Sequence, residues 1–242
     1  MRLFLILFLL TITTTGQGQV LISLLLGDKL NSGKVEFGLD GGVNFPDLRG
    51  LESGSMQGNF NIGFYFDIKT KNPNWLFHTG VLVKSTLGAD ALPVYSLNDP
   101  DLDNAFVGGA VQRKINYFNV PFAMKYKFNK HFYAIGGIMP SLRNKANDFF
   151  TNEINNDELE YKRDIRKEIH QLDFGLVGGV GYRLMAGNGM NLTLRYYYGL
   201  VDVVIDDTSP QQYNTSLYLA VGIPIGVGKA QERAAKKSAE EK

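Results

Sequence analysis

Three histidines are the residues of this chain best suited to acid–base chemistry, and the sequence spreads them over separate regions. A barrel hydrolase would need a histidine beside a serine or an aspartate. His170 is the one with such neighbours within reach, on a later segment that carries Asp206, Asp207 and Ser209. We expect an ordinary exposed histidine at a loop edge there. Because His78 and His131 lie in other regions, we predict no shared metal site.

An alternating acidic run is the second candidate for chemistry. Asp99, Asp101 and Asp103 have the spacing of the first ligands of a calcium loop, which also needs glycine at its sixth position and glutamate at its twelfth. Asn104 and Ala110 stand at those positions. The sequence therefore predicts a solvated acidic loop, with weak surface calcium binding as the alternative.

The segment 143–168 mixes many charges of both signs. Its basic residues are of the kind that contacts lipopolysaccharide phosphates, and the alternative is a solvated hairpin with cross-strand charge pairs. We find no phosphate-binding loop, dinucleotide fingerprint or metal-ligand spacing. The sequence thus predicts no catalytic, cofactor-binding or metal-binding residue, no cofactor and no enzymatic activity.

Strands are the elements that would position these side chains. In residues 34–45 apolar side chains occupy one parity and polar residues or glycine the other, the pattern of a strand with two different faces. The same alternation recurs in eight segments, of which the fifth has an ambiguous parity: 34–45, 58–69, 75–85, 114–128, 131–142, 169–184, 190–203 and 213–227. Pro121 cannot donate to a ladder, so we expect a bulge there.

The apolar faces are too numerous to be covered by helices, because no helical segment accompanies them. A closed barrel whose apolar faces meet lipid accounts for them. The gaps between segments alternate short and long, as in barrels with short periplasmic turns and long external loops. We predict an all-β fold: an eight-stranded antiparallel up-and-down transmembrane β-barrel in the bacterial outer membrane, with long loops at 86–113 and 143–168.

The ends of the chain fall outside this barrel. Residues 1–19 have the positive, apolar and small-residue regions of a signal peptide. Residues 20–33 form a predicted periplasmic N-terminal segment, 34–228 the barrel, and 229–242 a charged periplasmic tail. Removal of Arg2 with the signal would leave 24 basic residues against 24 acidic ones, which argues against a nucleic-acid partner. There is no cysteine.

Four acidic and four basic residues fall on the parity predicted to face the barrel interior. They are Glu36, Asp40, Asp67 and Asp173 against Lys84, Lys125, Arg183 and Arg195. Charges in a narrow interior must be paired and hydrogen-bonded. An eight-stranded barrel has room for little more than its own side chains or one small ligand. We therefore predict a side-chain-filled, closed interior, with a narrow conduit or ligand cup as the alternative.

Several segments resemble the PorT-like outer-membrane β-barrel domain family of Bacteroidota. They are LISLLLGDKLNS (21–32), FGLDGGVN (37–44), GFYFD (63–67), YFNVPF (117–122), GGVGYR (178–183) and RYYYGL (195–200). The resemblance implies an eight-stranded barrel. The founding member of that family is similar to components needed for type IX secretion, but the shared motifs are barrel motifs and imply no such role here.

Taken together, these patterns predict a non-enzymatic outer-membrane barrel with a structural or interaction role through its external loops. The expected partners are outer-membrane lipid and lipopolysaccharide, and a protein at the external loops or the periplasmic tail. The alternatives are a narrow, porin-like pore for small solutes and an accessory component of a secretion system.

Overall fold

A computed structural model describes residues 30–32, 34–51, 57–154, 157–185, 189–206 and 210–225. The predicted signal peptide, most of the predicted N-terminal segment and the predicted charged tail lie outside these residues. Within the described residues, no helix is both long enough and apolar enough to span a membrane.

Ten strands and one short helix make up the described chain. The strands are β1 (Val35–Arg49), β2 (Asn59–Lys69), β3 (Trp75–Leu92), β4 (Ala110–Asn119), β5 (Phe122–Lys127), β6 (Phe132–Ile154), β7 (Asp157–Asp164), β8 (Leu172–Arg183), β9 (Asn191–Asp202) and β10 (Tyr213–Pro224); the helix is α1 (Pro100–Ala105).

Antiparallel pairing closes the sheet into a ring with eight positions. Each position is occupied by one strand or by one collinear pair of strands, and we call such a unit a stave. The order around the ring is β1, β2, β3, the β4–β5 pair, β6, β8, β9 and β10, and β10 pairs back with β1. Strands β4 and β5 together form one stave, and β7 pairs only with β6 outside the ring. The predicted eight-stranded barrel is therefore confirmed. Its short connections lie at one end, the turn end, together with the start of β1 and the end of β10; the long connections lie at the loop end.

The two faces of each stave carry the residues that the alternation predicts. Large apolar side chains point outward and remain exposed, as at Leu172 (66%), Val180 (58%) and Phe60 (53%). The inward parity holds buried polar and charged residues such as Asp40 and Asn44. An apolar outer surface around a polar interior is the reverse of a water-soluble protein and suits a barrel surrounded by lipid.

The predicted bulge at Pro121 is wrong. Asn119 and Phe122 keep one continuous register with β3, opposite Leu82 and Thr79, and one continuous register with β6. No extra residue is inserted. Proline only interrupts the ladder between β4 and β5, because it lacks the N–H that a ladder bond requires.

True bulges occur instead in β3 and β6. In β3 the register slips between the pairs Gly63–Leu82 and Ile62–Lys84, which inserts one residue at Val83. A second slip in β6 inserts one residue opposite Asn116 and Tyr117. Each inserted residue moves the following side chains to the opposite face. Lys84, predicted to face the interior, therefore points outward.

Beyond these bulges the strands continue well past their predicted ends. β3 reaches Leu92 and β6 reaches Ile154, so much of the predicted loops 86–113 and 143–168 is strand. The upper parts of β3, β4 and β6, strand β7, and residues 93–109 with α1 form a unit at the loop end, which we call the cap. The predicted ends of these two strands, at residues 85 and 142, are therefore too early, because the face inversion ends the alternation on which strand prediction depends. In the segment 143–168 the structure agrees with the hairpin alternative, since β6 pairs with β7.

Candidate functional site

The interior near the turn end is built on one buried carboxylate with two partners. Asp67 on β2 lies 2.8 Å from the Lys125 ammonium on β5 and 2.6 Å from the His78 imidazole on β3, and all three are buried. The Lys125 ammonium also lies 5.3 Å from the ring of Tyr65 and 5.2 Å from the ring of Tyr133. This cluster joins three adjacent staves and fixes the charges deep inside the ring.

Two arginines complete the paired charges. Arg183 on β8 lies 2.6 Å from Glu36 on β1, and Arg195 on β9 lies 2.7 Å from Asp40 on β1. Both pairs cross the barrel interior between non-adjacent staves. Six of the eight predicted interior charges are thus brought into three ion pairs, which is the compensation that buried charges need.

The other two predicted interior charges behave differently. Lys84 lies on the outer face, as its bulge requires, so its predicted place inside is wrong. Asp173 on β8 is buried without a salt bridge to a described cation, and accepts hydrogen bonds from the Asn214 amide (2.9 Å) and the Phe174 main-chain N–H (2.8 Å). Hydrogen bonding replaces ion pairing at this level.

Amides and hydroxyls fill the middle of the barrel. The Asn119 amide donates to the Ser85 hydroxyl (3.0 Å), which is 3.1 Å from the Tyr218 hydroxyl. Asn44 donates to the Thr86 carbonyl (2.8 Å) and to Ser216 (3.2 Å). These side chains come from β1, β3, β4 and β10, so they link strands across the ring.

Little empty space is left between the layers. Within the part of the chain that the structure describes, the interior contains two cavities of about 10 Å³ each, one beside Leu82 and Tyr218 and one beside His78 and Arg195. Each holds at most about one water molecule. Packing is this tight because tyrosine rings lie over glycines: a Cβ added at Gly181 would collide with the Tyr133 ring.

Above the polar layers, the cap has an apolar core of its own. Phe150 on β6 is fully buried, with ring centroids 5.0 Å from Tyr95, 5.7 Å from Phe106 and 6.3 Å from Tyr161. Residues 93–109 supply two of these rings and so cover the inner face of the extended sheet. The cap is therefore a packed structure and not a set of free loops.

A buried ion pair connects the apolar core of the cap to the neighbouring strands at the loop end. The Arg113 guanidinium holds Asp148 through two bonds, Nε–Oδ1 at 2.9 Å and Nη2–Oδ2 at 2.7 Å, and donates through Nη1 to Gln212 (2.8 Å). The Tyr95 hydroxyl donates to Asp148 Oδ2 (2.8 Å). Burial, together with the negative charge of Asp148, raises the pKa of Tyr95 to about 12, so it stays a donor at physiological pH. The sequence pattern does not predict this network, because Arg113 and Asp148 lie beyond the segments whose alternation marks them as strands.

The outer membrane protein beta-barrel domain model matches residues 26–204, about three quarters of the chain. The chain belongs to this family. Its barrel therefore lies in the bacterial outer membrane, with the turn end facing the periplasm and the cap on the external side.

Solved outer-membrane barrels resemble this family member over most of its length. Ail of Yersinia pestis is 11% identical, with 79% of this chain and 99% of that one covered and a TM-score of 0.41. OprG of Pseudomonas aeruginosa is 13% identical, covering 80% and 95%, with a TM-score of 0.37. AlkL is 13% identical, covering 81% and 93%, with a TM-score of 0.36. No curated protein matches the chain.

Within this outer-membrane barrel, the acidic run has a local structural role. Asp99 caps α1 by accepting hydrogen bonds from the main-chain N–H groups of Asp101 and Leu102. Asp103 accepts from the Ser96 hydroxyl and the Leu97 N–H, and these bonds lower the pKa of its carboxyl. The spacing that resembles a calcium loop is accounted for by helix capping and by the turn before the helix.

His170 lies exposed at the external end of β8. Its main-chain N–H donates to the Val203 carbonyl (2.8 Å), and its carbonyl accepts from Arg143. Asp207 and Ser209 lie outside the described residues, so a catalytic arrangement there stays untested.

His131 occupies a periplasmic turn, where its ring stacks on Tyr182 at 5.2 Å.

Aromatic side chains mark both membrane boundaries of the barrel. On the periplasmic side, Trp75 packs against Tyr126 with ring centroids 4.9 Å apart. On the external side, the Arg49 guanidinium lies 3.9 Å from the centroid of the Tyr198 ring, contacts its hydroxyl and donates to the Gly199 carbonyl. Rings at these two levels fit the interfaces between lipid tails and water.

Proposed function

We propose that this protein is a non-enzymatic outer-membrane barrel with a closed interior, and that it acts as a structural or interaction protein through its external cap. In this proposal lipid surrounds the staves, a protein partner contacts the cap or the periplasmic tail, and no cofactor or nucleic acid takes part. The observation that carries it is the stack of ion pairs, hydrogen-bonded amides and apolar rings in the described part of the barrel interior.

The closed interior rests on the absence of room for a solute. Between the Asp67–Lys125 pair and the Phe150 ring, the two cavities of the described interior are water-sized and adjoin each other at Ile135 and Arg195. A hydrated ion would have to break at least one buried ion pair in order to pass. The charges are therefore better explained as a core than as the lining of a channel.

The cap has the properties expected of a contact surface. It is packed around Phe150, so it can hold a fixed shape, and it keeps apolar side chains on the outside. Val107, in the turn after α1, is 71% exposed, and Leu159 on β7 is also exposed. Exposed apolar groups on a rigid scaffold are typical of interaction sites.

In planar bilayers we expect no steady conductance from the folded wild-type barrel, because the described part of its interior offers only water-sized cavities. The measurement is single-channel recording, with insertion verified by the heat-induced mobility shift of the same sample. The Lys71→Ala variant, altered at an exposed periplasmic turn, serves as the control. A steady conductance that changes in Lys125→Ala or Arg195→Ala but not in Lys71→Ala would contradict the closed interior and favour the pore.

Site-specific cross-linking tests the contact surface. Because the chain has no native cysteine, only the introduced cysteine carries the cross-linker. We expect Val107→Cys, carrying a photo-cross-linker, to capture a protein in native outer membranes. Lys71→Cys at the periplasmic turn is the matched control. Reproducible capture by Lys71→Cys alone would move the interaction to the periplasmic end, and capture by neither variant would contradict a protein-contact role of the cap.

Two alternative functions stay open to direct test. The first is an accessory role in secretion, for which the barrel motifs themselves give no support and which a comparison of secreted proteins with and without this protein would reveal. A lipid-modifying or proteolytic activity would require His170, and loss of such an activity in His170→Ala would support it.

A further inference from the structure

Four lysines lie on the outer face of four neighbouring strands at the external side. Lys84 lies on β3, Lys114 on β4, Lys145 on β6 and Lys162 on β7. We call this set the lysine row. Its members are far apart in sequence, and the bulges of β3 and β6 turn Lys84 and Lys145 outward.

The strand register fixes the height of the row above the lipid. The outward apolar surface of β4 and β6 ends at the cross-strand pair Phe118–Leu142. Lys145 follows opposite Asn116, and Lys114 lies two residues further out, opposite Asn147. At about 3.3 Å per residue along a tilted strand, these ammonium groups lie within roughly 15 Å of the hydrocarbon boundary, the depth of lipid headgroups.

Positive charge predominates along the row, where Asp90 is the carboxylate that lines the same surface depression as Lys114. Within the described residues no salt bridge to a carboxylate involves any of the four lysines. Asp164 on the same face is bound by Arg166 at 2.7 Å, and Glu160 lies further out, opposite Thr151. Such a charge excess beside a membrane attracts anions.

Aromatic rings accompany the row. The Lys114 ammonium lies 5.1 Å and the Lys162 ammonium 5.6 Å from the centroid of the Phe149 ring, on the same outward face. Lys84 lies 5.9 Å from the Phe60 ring at the lipid boundary. An aromatic ring between ammonium groups offers a flat apolar surface beside cationic donors, a combination suited to a phosphorylated sugar.

We propose that the lysine row binds the phosphate groups of lipopolysaccharide in the outer leaflet, with Phe149 packing against a sugar ring of the same headgroup. The charge, the height above the lipid and the aromatic surface all agree with this ligand. This inference names a ligand for the proposed interaction role. It rests on the proposed function, because the lysine row can reach lipopolysaccharide only when the cap lies on the external side.

The test replaces all four lysines with glutamine, which keeps the length of the side chains and removes their charge. The control is Lys34→Gln/Lys71→Gln/Lys130→Gln, three exposed lysines at the periplasmic end. Both proteins are reconstituted in phosphatidylcholine nanodiscs containing bisphosphorylated lipid A, and bound lipid is counted by native mass spectrometry. We expect the row variant to bind at least about tenfold more weakly, since each lysine near an anionic surface adds to the attraction of anions.

Two further measurements keep the outcome decisive. Lipid A without phosphates should bind wild type and row variant equally, and the heat-induced mobility shift should show that both barrels are folded. Equal binding of phosphorylated lipid A by the row variant and the wild type would overturn the inference. Cross-linking at Val107→Cys in the row variant separates the two proposals, because a protein contact of the cap should survive the loss of the lysine row.

Discussion

Replacing Lys125 with methionine should lower the free energy of unfolding of the barrel by about 3–5 kcal/mol, because it leaves a buried carboxylate without its strongest partner. Asp67 would keep only the His78 imidazole at 2.6 Å. The measurement is urea unfolding in lipid vesicles, followed by the mobility shift between folded and unfolded forms on unheated gels.

A matched control and a rescue variant make this prediction specific. Lys130→Met changes an exposed lysine at a periplasmic turn and should alter the free energy of unfolding by no more than about 0.5 kcal/mol. The double variant Lys125→Met/Asp67→Asn removes both charges and should recover much of the loss, because the two residues are coupled. If Lys125→Met alone were as stable as wild type, the ion pair would not be a structural part of the interior.

Replacing Phe150 with alanine should destabilise the cap by about 3–5 kcal/mol, the usual cost of emptying a fully buried aromatic site. Phe150 contacts the rings of Tyr95, Phe106 and Tyr161, so its loss should release residues 93–109 from the inner face of the extended sheet. We expect protease cleavage within this segment at protease concentrations that leave the wild-type cap intact.

The barrel below should stay folded in this variant, because its closure depends on strand pairing and on the interior ion pairs. The mobility shift on gels should therefore persist while the cap is cleaved. Val107→Ala removes an exposed side chain of the same segment and should leave its protease resistance unchanged. Loss of the barrel itself in Phe150→Ala would show that cap and barrel form a single cooperative unit.

Much of the barrel can be predicted from sequence because lipid imposes a simple rule. A stave between an apolar exterior and a polar interior must alternate, and β1, β2, β8, β9 and β10 do so almost throughout their lengths. The fifth predicted strand was ambiguous because its inward parity carries Tyr133, Ile135 and Met139, which reduces the contrast between its two faces. The interior charges could be selected by parity as well, and six of them form ion pairs.

The cap and the lysine row could not be predicted in this way. A bulge adds one residue without any marker in composition, and every following side chain then changes faces. The alternation of apolar and polar residues therefore ends at Ser85 in β3 and at Leu142 in β6, although both strands continue. Arg113 and Asp148 were consequently assigned to loops, and their buried network with Tyr95 could not be predicted.

By itself, the sequence determined the class of fold, the number of staves, the side of the membrane to which each connection belongs, and the polar character of the interior. These follow from a period of two residues, which is a local property of the chain. Only the tertiary structure decided which charges pair, where the register slips, and how distant lysines form one surface. These features depend on which residues of different strands stand opposite each other, and strand pairing is a long-range property.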